Sequence, residues 1–144
     1  MTLFLADDNH NDCLLFKYAL DQVSADAILA MMHTVDLLMD ALNITKNMLF
    51  QLLFLDLRTL RKNEFDLLAA IKRNAVFNSL PAIIFSKADK DDISDSLYDD
   101  NAHNYIRKPF QFSEIKKVIQ KALGFILQNS NQRPSMERFL LSAD

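Results

Sequence analysis

Glycine is nearly missing from this chain: Gly124 is the only one among 144 residues. Turns that need a positive backbone φ ordinarily take glycine. Asparagine must therefore stand in, and Asn63, Asn78 and Asn101 occupy turn or helix-end positions, where it tolerates the left-handed conformation best after glycine. Cysteine is as scarce. Cys13 alone excludes an internal disulfide and suits a reducing compartment. A basic excess is also lacking: the net charge is −3, with no basic block or stripe, which argues against direct nucleic-acid binding by charge. No apolar run approaches membrane-spanning length. The segment Met1–Asp8 has no basic leader and meets two acids almost at once, so neither signal peptide nor membrane anchor is expected. The length suffices for one packed domain and not two, and a cytoplasmic location is the expectation.

What is present is a series of short apolar runs, half of all residues being hydrophobic. The run Phe50–Leu55 is too brief for a free-standing helix and stops on Asp56. Near-continuous apolar strands belong to parallel sheets covered on both faces. Thr2–Ala6, Ala27–His33, Pro81–Ser86 and Asn104–Pro109 read as further strands, the run from Pro81 opening on a proline where a strand accepts one. Helical spacing separates them. Asn9–Val23 places Leu14, Leu15, Tyr18, Ala19 and Val23 on one side, with Asn9, Asn11 or Asp12 as N-cap. Val35–Leu42, Phe65–Arg73, the weakly amphipathic Lys87–Asp100 and Ser113–Gln128, capped by Ser113, supply the other helices. Strand and helix alternate five times, which calls for right-handed crossovers and a doubly wound α/β sheet. Residues 129–144 form a tail too short for an output domain, and Met136, Phe139, Leu140 and Leu141 suggest a short helix docked on the domain or on a partner.

Four strand ends carry polar groups: Asp7-Asp8, Asp56, Ser86 and Lys108. In a parallel sheet all four lie on one edge, where open α/β folds place their chemistry. Clustered carboxylates repel unless a cation sits among them, and oxygen-only ligands suit Mg²⁺. A lysine and a hydroxyl can hold phosphate oxygens, and a carboxylate such as Asp56 can be the nucleophile that forms an aspartyl phosphate.

At these residues, over about 2 to 128, the chain resembles the receiver domains of two-component response regulators. The shared points are the acidic pair Asp7-Asp8, the phosphoacceptor position in Leu55-Asp56-Leu57, Ser86 in Phe85-Ser86-Lys87, and Lys108 in Arg107-Lys108-Pro109. Each motif alone is weak; the ordered set is strong. The resemblance implies a receiver domain over 1–128 with a flavodoxin-like five-stranded parallel sheet of order 2-1-3-4-5 and five helices. It implies Mg²⁺-dependent phosphoryl transfer to Asp56 from a histidine kinase or histidine phosphotransfer protein, and signalling to a downstream protein target. Asp8 and Asp56 would bind Mg²⁺ directly, with Asp7 direct or through water and the backbone carbonyl of Arg58 as a further ligand. Lys108 would pair with the phosphoryl group, while Ser86 moves toward it and Tyr105 turns into the space vacated. Family members often dimerise through the fourth helix, fifth strand and fifth helix, so the resemblance leaves a homodimer open and does not decide the oligomeric state. The sequence departs from the family pattern at Leu60, where proline is usual, and at Glu64 and Asn101, where glycine is common.

The plainer readings are weighed residue by residue. Acids at a helix start favour the dipole, Asp56 alone could cap a loop, and Lys108 alone would be a solvated charge; only joint placement favours function. Tyr105 as switch stands slightly ahead of Tyr105 as packing. His10, His33 and His103 lack partners at metal spacing and read as surface residues, and Cys13 reads as packing on the first helix. A phosphorylation-independent interaction module is the alternative function. An aspartyl-phosphate phosphatase is third, but wants an acid where Arg58 stands.

Overall fold

A computed structural model describes residues 2–34, 36, 37, 40, 52–56, 73, 80–87, 102–129 and 140–142. Its strands are β1 (Thr2–Ala6), β2 (Ile28–Met32), β3 (Leu52–Leu55), β4 (Ala82–Ser86), β5 (Asn104–Arg107) and β6 (Leu140–Leu141). Two helices are described in full, α1 (His10–Val23) and α2 (Phe112–Asn129). Asn63, Asn78, Asn101, Leu60, Glu64 and the expected helices 65–73 and 87–100 lie outside the described residues, apart from helical Arg73 and from Lys87. Within the expected helix 35–42, Asp36, Leu37 and Asp40 are helical, and the Leu37 amide donates to Thr34 Oγ1 at 3.1 Å.

The strands pair in parallel in the order β2-β1-β3-β4-β5-β6. The expected 2-1-3-4-5 sheet is therefore present, with an added edge strand. β3 and β4 are buried at every residue, as strands covered on both faces must be. Leu140 and Leu141, expected in a helical turn, instead extend the sheet, opposite Tyr105 and Ile106. Leu141 packs on the core, and Lys121 Nζ donates to Ser142 O at 2.7 Å. A strand end at the sheet edge finds backbone partners that a one-turn helix would lack.

The inner face of α1 differs in part from expectation: Ala19 is buried and Val23 packs on the core as expected, and the rest of the face is shifted. Cys13, Phe16, Ala19 and Leu20 are buried, whereas Leu14, Leu15 and Tyr18 are exposed. Both sets satisfy helical spacing, so periodicity alone could not choose. Aromatic packing decides: Phe16 meets Phe54 and Phe85 edge-on at ring-centroid distances of 4.8 and 5.5 Å. Ser113 lies inside α2 and does not cap it. The first turn is opened by the Gln111 carbonyl, which accepts from Ile115 N at 3.1 Å.

Candidate phosphoacceptor pocket

The pocket forms because β1, β3, β4 and β5 all end on one edge. Backbone ladders run past the strands to the candidate site residues: Asp7 N donates to Met32 O at 2.9 Å, Asp56 N to Ala6 O at 2.8 Å, and Lys108 N to Ser86 O at 2.8 Å. Asp7, Asp56, Ser86 and Lys108 are buried, while Asp8 is exposed. The sequence therefore brings all five to one rim. Tyr105 is fully buried on β5. Arg58 lies outside the described residues.

Lys108 crosses from β5 to the acids. Its Nζ lies 2.6 Å from Asp7 Oδ2 and 3.0 Å from Asp56 Oδ1, with 3% of the lysine side chain exposed. Burial by itself works against the ammonium. The hydrogen bond that Lys108 donates to Asp7 and the charges of Asp7 and Asp56 outweigh it and hold Lys108 above the ordinary lysine value. Burial pushes the Asp7 carboxyl above its ordinary range, against the hydrogen bonds from Lys108 and the Asn9 amide. One oxygen each from Asp7, Asp8 and Asp56 lies within 4.8 Å of the others. An all-oxygen, strongly anionic donor set of this kind fits a hard divalent cation such as Mg²⁺.

The loop after β1 is fixed at both ends. Asn9 caps α1, its side chain accepting from Asp12 N at 3.0 Å, and its own amide donates to Asp7 Oδ1 at 2.9 Å. Cys13 Sγ donates to Asp7 O at 3.4 Å, and His33 Nδ1 lies 3.0 Å from the same carbonyl. Burial and the neighbouring acids, Asp7 foremost, push the Cys13 thiol up to about 11. The histidines are not all surface residues. His10 is exposed and stacks on half-buried His33 at 3.9 Å. His103 is buried, with Nδ1 2.6 Å from Asn104 Oδ1 and its ring edge on Phe125. Strand packing, absent from a spacing argument, draws it inward.

Asp12 is the site residue that sequence reading missed. Considered only as a cap, it places Oδ2 3.0 Å from Lys108 Nζ and 3.5 Å from Lys87 Nζ. Its place in the first turn of α1 gave no signal of its own, because spacing does not say what a helix face meets.

Fold and pocket together define a class: a doubly wound α/β domain with an acidic, lysine-bridged pocket at the carboxyl edge of its sheet. The model of the response regulator receiver domain matches residues 3–120, and the chain belongs to that family. It is 20% identical over 122 residues to the probable methanogenesis regulatory protein FilR2 of Methanothrix harundinacea, covering 83% of this chain and 79% of that one. The phosphorylated cyanobacterial phytochrome response regulator RcpA superposes with a TM-score of 0.75 at 26% identity, over 93% of this chain and 98% of that one. The Mn²⁺-bound form of the response regulator Rcp1 gives a TM-score of 0.73 at 20% identity, over 93% and 99%. Receiver domains are signalling domains of two-component systems and not enzymes in the ordinary sense. Among the described residues no helix is long and apolar enough to cross a membrane.

Proposed function

We propose that this chain is a response regulator, residues 1–128 forming the receiver, that accepts a phosphoryl group on Asp56. The donor is a histidine kinase or a histidine phosphotransfer protein. The carrying observation is Asp56 itself: it is fully buried at the end of β3, 3.0 Å from the Lys108 ammonium, with two more carboxylates alongside. A buried carboxylate held by a cation among other acids has little structural purpose, and much as an activated nucleophile.

One Asp56 oxygen attacks phosphorus as the phosphorus–nitrogen bond to the donor imidazole breaks, and the imidazole departs with a proton taken up from solvent. Asp7, Asp8, Asp56 and the Arg58 carbonyl would hold Mg²⁺, which would supply charge neutralisation for the phosphoryl oxygens. That a related fold is described in a Mn²⁺-bound form supports a divalent ion here. Lys108 holds a phosphoryl oxygen as a point charge. Ser86 donates to another, and Tyr105, buried in this structure, follows the space Ser86 leaves. That local change biases the face around β5 toward a downstream protein or a second copy of the chain. The lone thiol and the absence of a basic block favour a cytoplasmic regulator that acts through protein contacts and not on nucleic acid.

Incubation with Mg²⁺ and a radiolabelled small-molecule phosphodonor should label the wild type and leave Asp56→Asn unlabelled. Equal labelling of both would overturn this reading.

A further inference from the structure

An ammonium offers three N–H donors, and at Lys108 three carboxylates claim them. Asp7 Oδ2 lies at 2.6 Å, Asp12 Oδ2 at 3.0 Å and Asp56 Oδ1 at 3.0 Å. Asp7 and Asp56 belong to the group of acids that converge on one point; Asp12 does not. Its carboxylate approaches Lys108 from the first turn of α1. The same Oδ2 also takes the ammonium of Lys87, the residue after Ser86, at 3.5 Å. A single oxygen thus joins α1 to the ends of β4 and β5. It lies on a small cleft that is also lined by Leu15, Phe16, Phe85, Lys108 and Pro109.

Resting on the phosphoacceptor reading above, we propose that Asp12 is a positioning residue of the pocket. It holds the Lys108 ammonium toward α1 and, by competing with the incoming anion for that cation, lowers the pocket's affinity for a phosphoryl group. The carboxylate is available for this because of how α1 begins. An acid at the third helical position often turns back to the cap residue's amide. Here Asp7 Oδ1 already serves the Asn9 amide at 2.9 Å, so Asp12 is left to face Lys108. Its side chain is 14% exposed, so solvent screens the pair weakly. A phosphoryl group on Asp56 needs a Lys108 donor and adds negative charge. Asp12 keeps one donor and contributes a repelling charge of its own. Lys87, with 48% of its side chain exposed, offsets that charge only in part.

Removing the carboxylate charge should act in opposite directions on the two ligands of the site. The anion gains a lysine donor and loses a repelling charge, whereas a divalent cation loses an attracting one. A damaged fold would weaken both, so the split identifies positioning. The test is calorimetric titration of the full chain with beryllium trifluoride anion in saturating Mg²⁺, and separately with Mg²⁺ alone. Asp12→Asn should bind the anion about fivefold more tightly than wild type and Mg²⁺ no more tightly, while Asp12→Glu restores wild-type values. Should Asp12→Asn fold poorly, Asp12→Ser makes the same charge removal. Anion affinity unchanged or weakened in a charge-removed variant with a native melting profile would overturn the proposal. If the wild type binds Mg²⁺ but not the anion, the phosphoacceptor reading itself fails, and the role of Asp12 falls with it.

Discussion

Lys108 is the one buried cation among the described residues, and it offsets a pocket that would otherwise repel itself. Its ammonium is favoured by the folded state, despite burial, because Asp7 and Asp56 surround it. A lysine whose folded value is raised contributes stability that is complete below the unfolded value of 10.5 and is lost as pH rises through the folded value. Lys108→Met should therefore cost about 3 kcal/mol at neutral pH, since it leaves buried carboxylates uncompensated. The difference from wild type should stay flat through neutral pH and close only above the ordinary lysine range. Urea unfolding of both proteins between pH 7 and strongly alkaline pH measures it, and added Mg²⁺ should narrow the gap by replacing the missing cation. At this scale the sequence was legible wherever a polar residue ended an apolar run, as at Asp7, Asp56, Ser86 and Lys108. Asp12 was not legible. It sits within a helix, where only the direction of the helix face says what a side chain meets.

That direction is the element-scale question. For α1 the chain offers two apolar stripes, one through Leu14, Leu15 and Tyr18 and one through Cys13, Phe16 and Leu20. The second is buried because the strands present Phe54 and Phe85 to Phe16, information that local spacing does not contain. Strand existence, by contrast, was legible at every described strand but β6, because short apolar runs bounded by polar residues leave few alternatives. In α2 the single glycine is an opportunity. A Cβ built on Gly124 meets nothing within 4 Å, so no packing resists the substitution. Gly124→Ala should stabilise the protein by roughly 0.5–1 kcal/mol, mainly by restricting the unfolded chain. The chemical-denaturation midpoint should rise with an unchanged slope, and a fall would show that the helix needs the glycine.

For the molecule as a whole, the sheet order follows from the alternation of strands and helices, but its sixth strand does not. A two-residue strand carries too little pattern to be read, and it exists because β5 would otherwise present an open edge. Leu141→Asp should release that edge, costing about 1 kcal/mol for the lost apolar contact. Backbone amides along β5 should then exchange faster with deuterium while those of β1 and β3 stay protected. Uniform loss of protection would mean that β6 is coupled to the entire sheet.

The pocket also constrains the order in which the chain can complete itself. The contact between Lys108 and Asp7 joins positions 101 residues apart, a loop closure that is entropically costly until the intervening strands have docked. During synthesis, the acids of β1 and β3 leave the ribosome well before the lysine that balances them. A nascent chain ending short of β5 therefore carries its acidic cluster uncompensated, and the strand that brings the balancing charge also readies the sheet for the core residues of α2 that follow it.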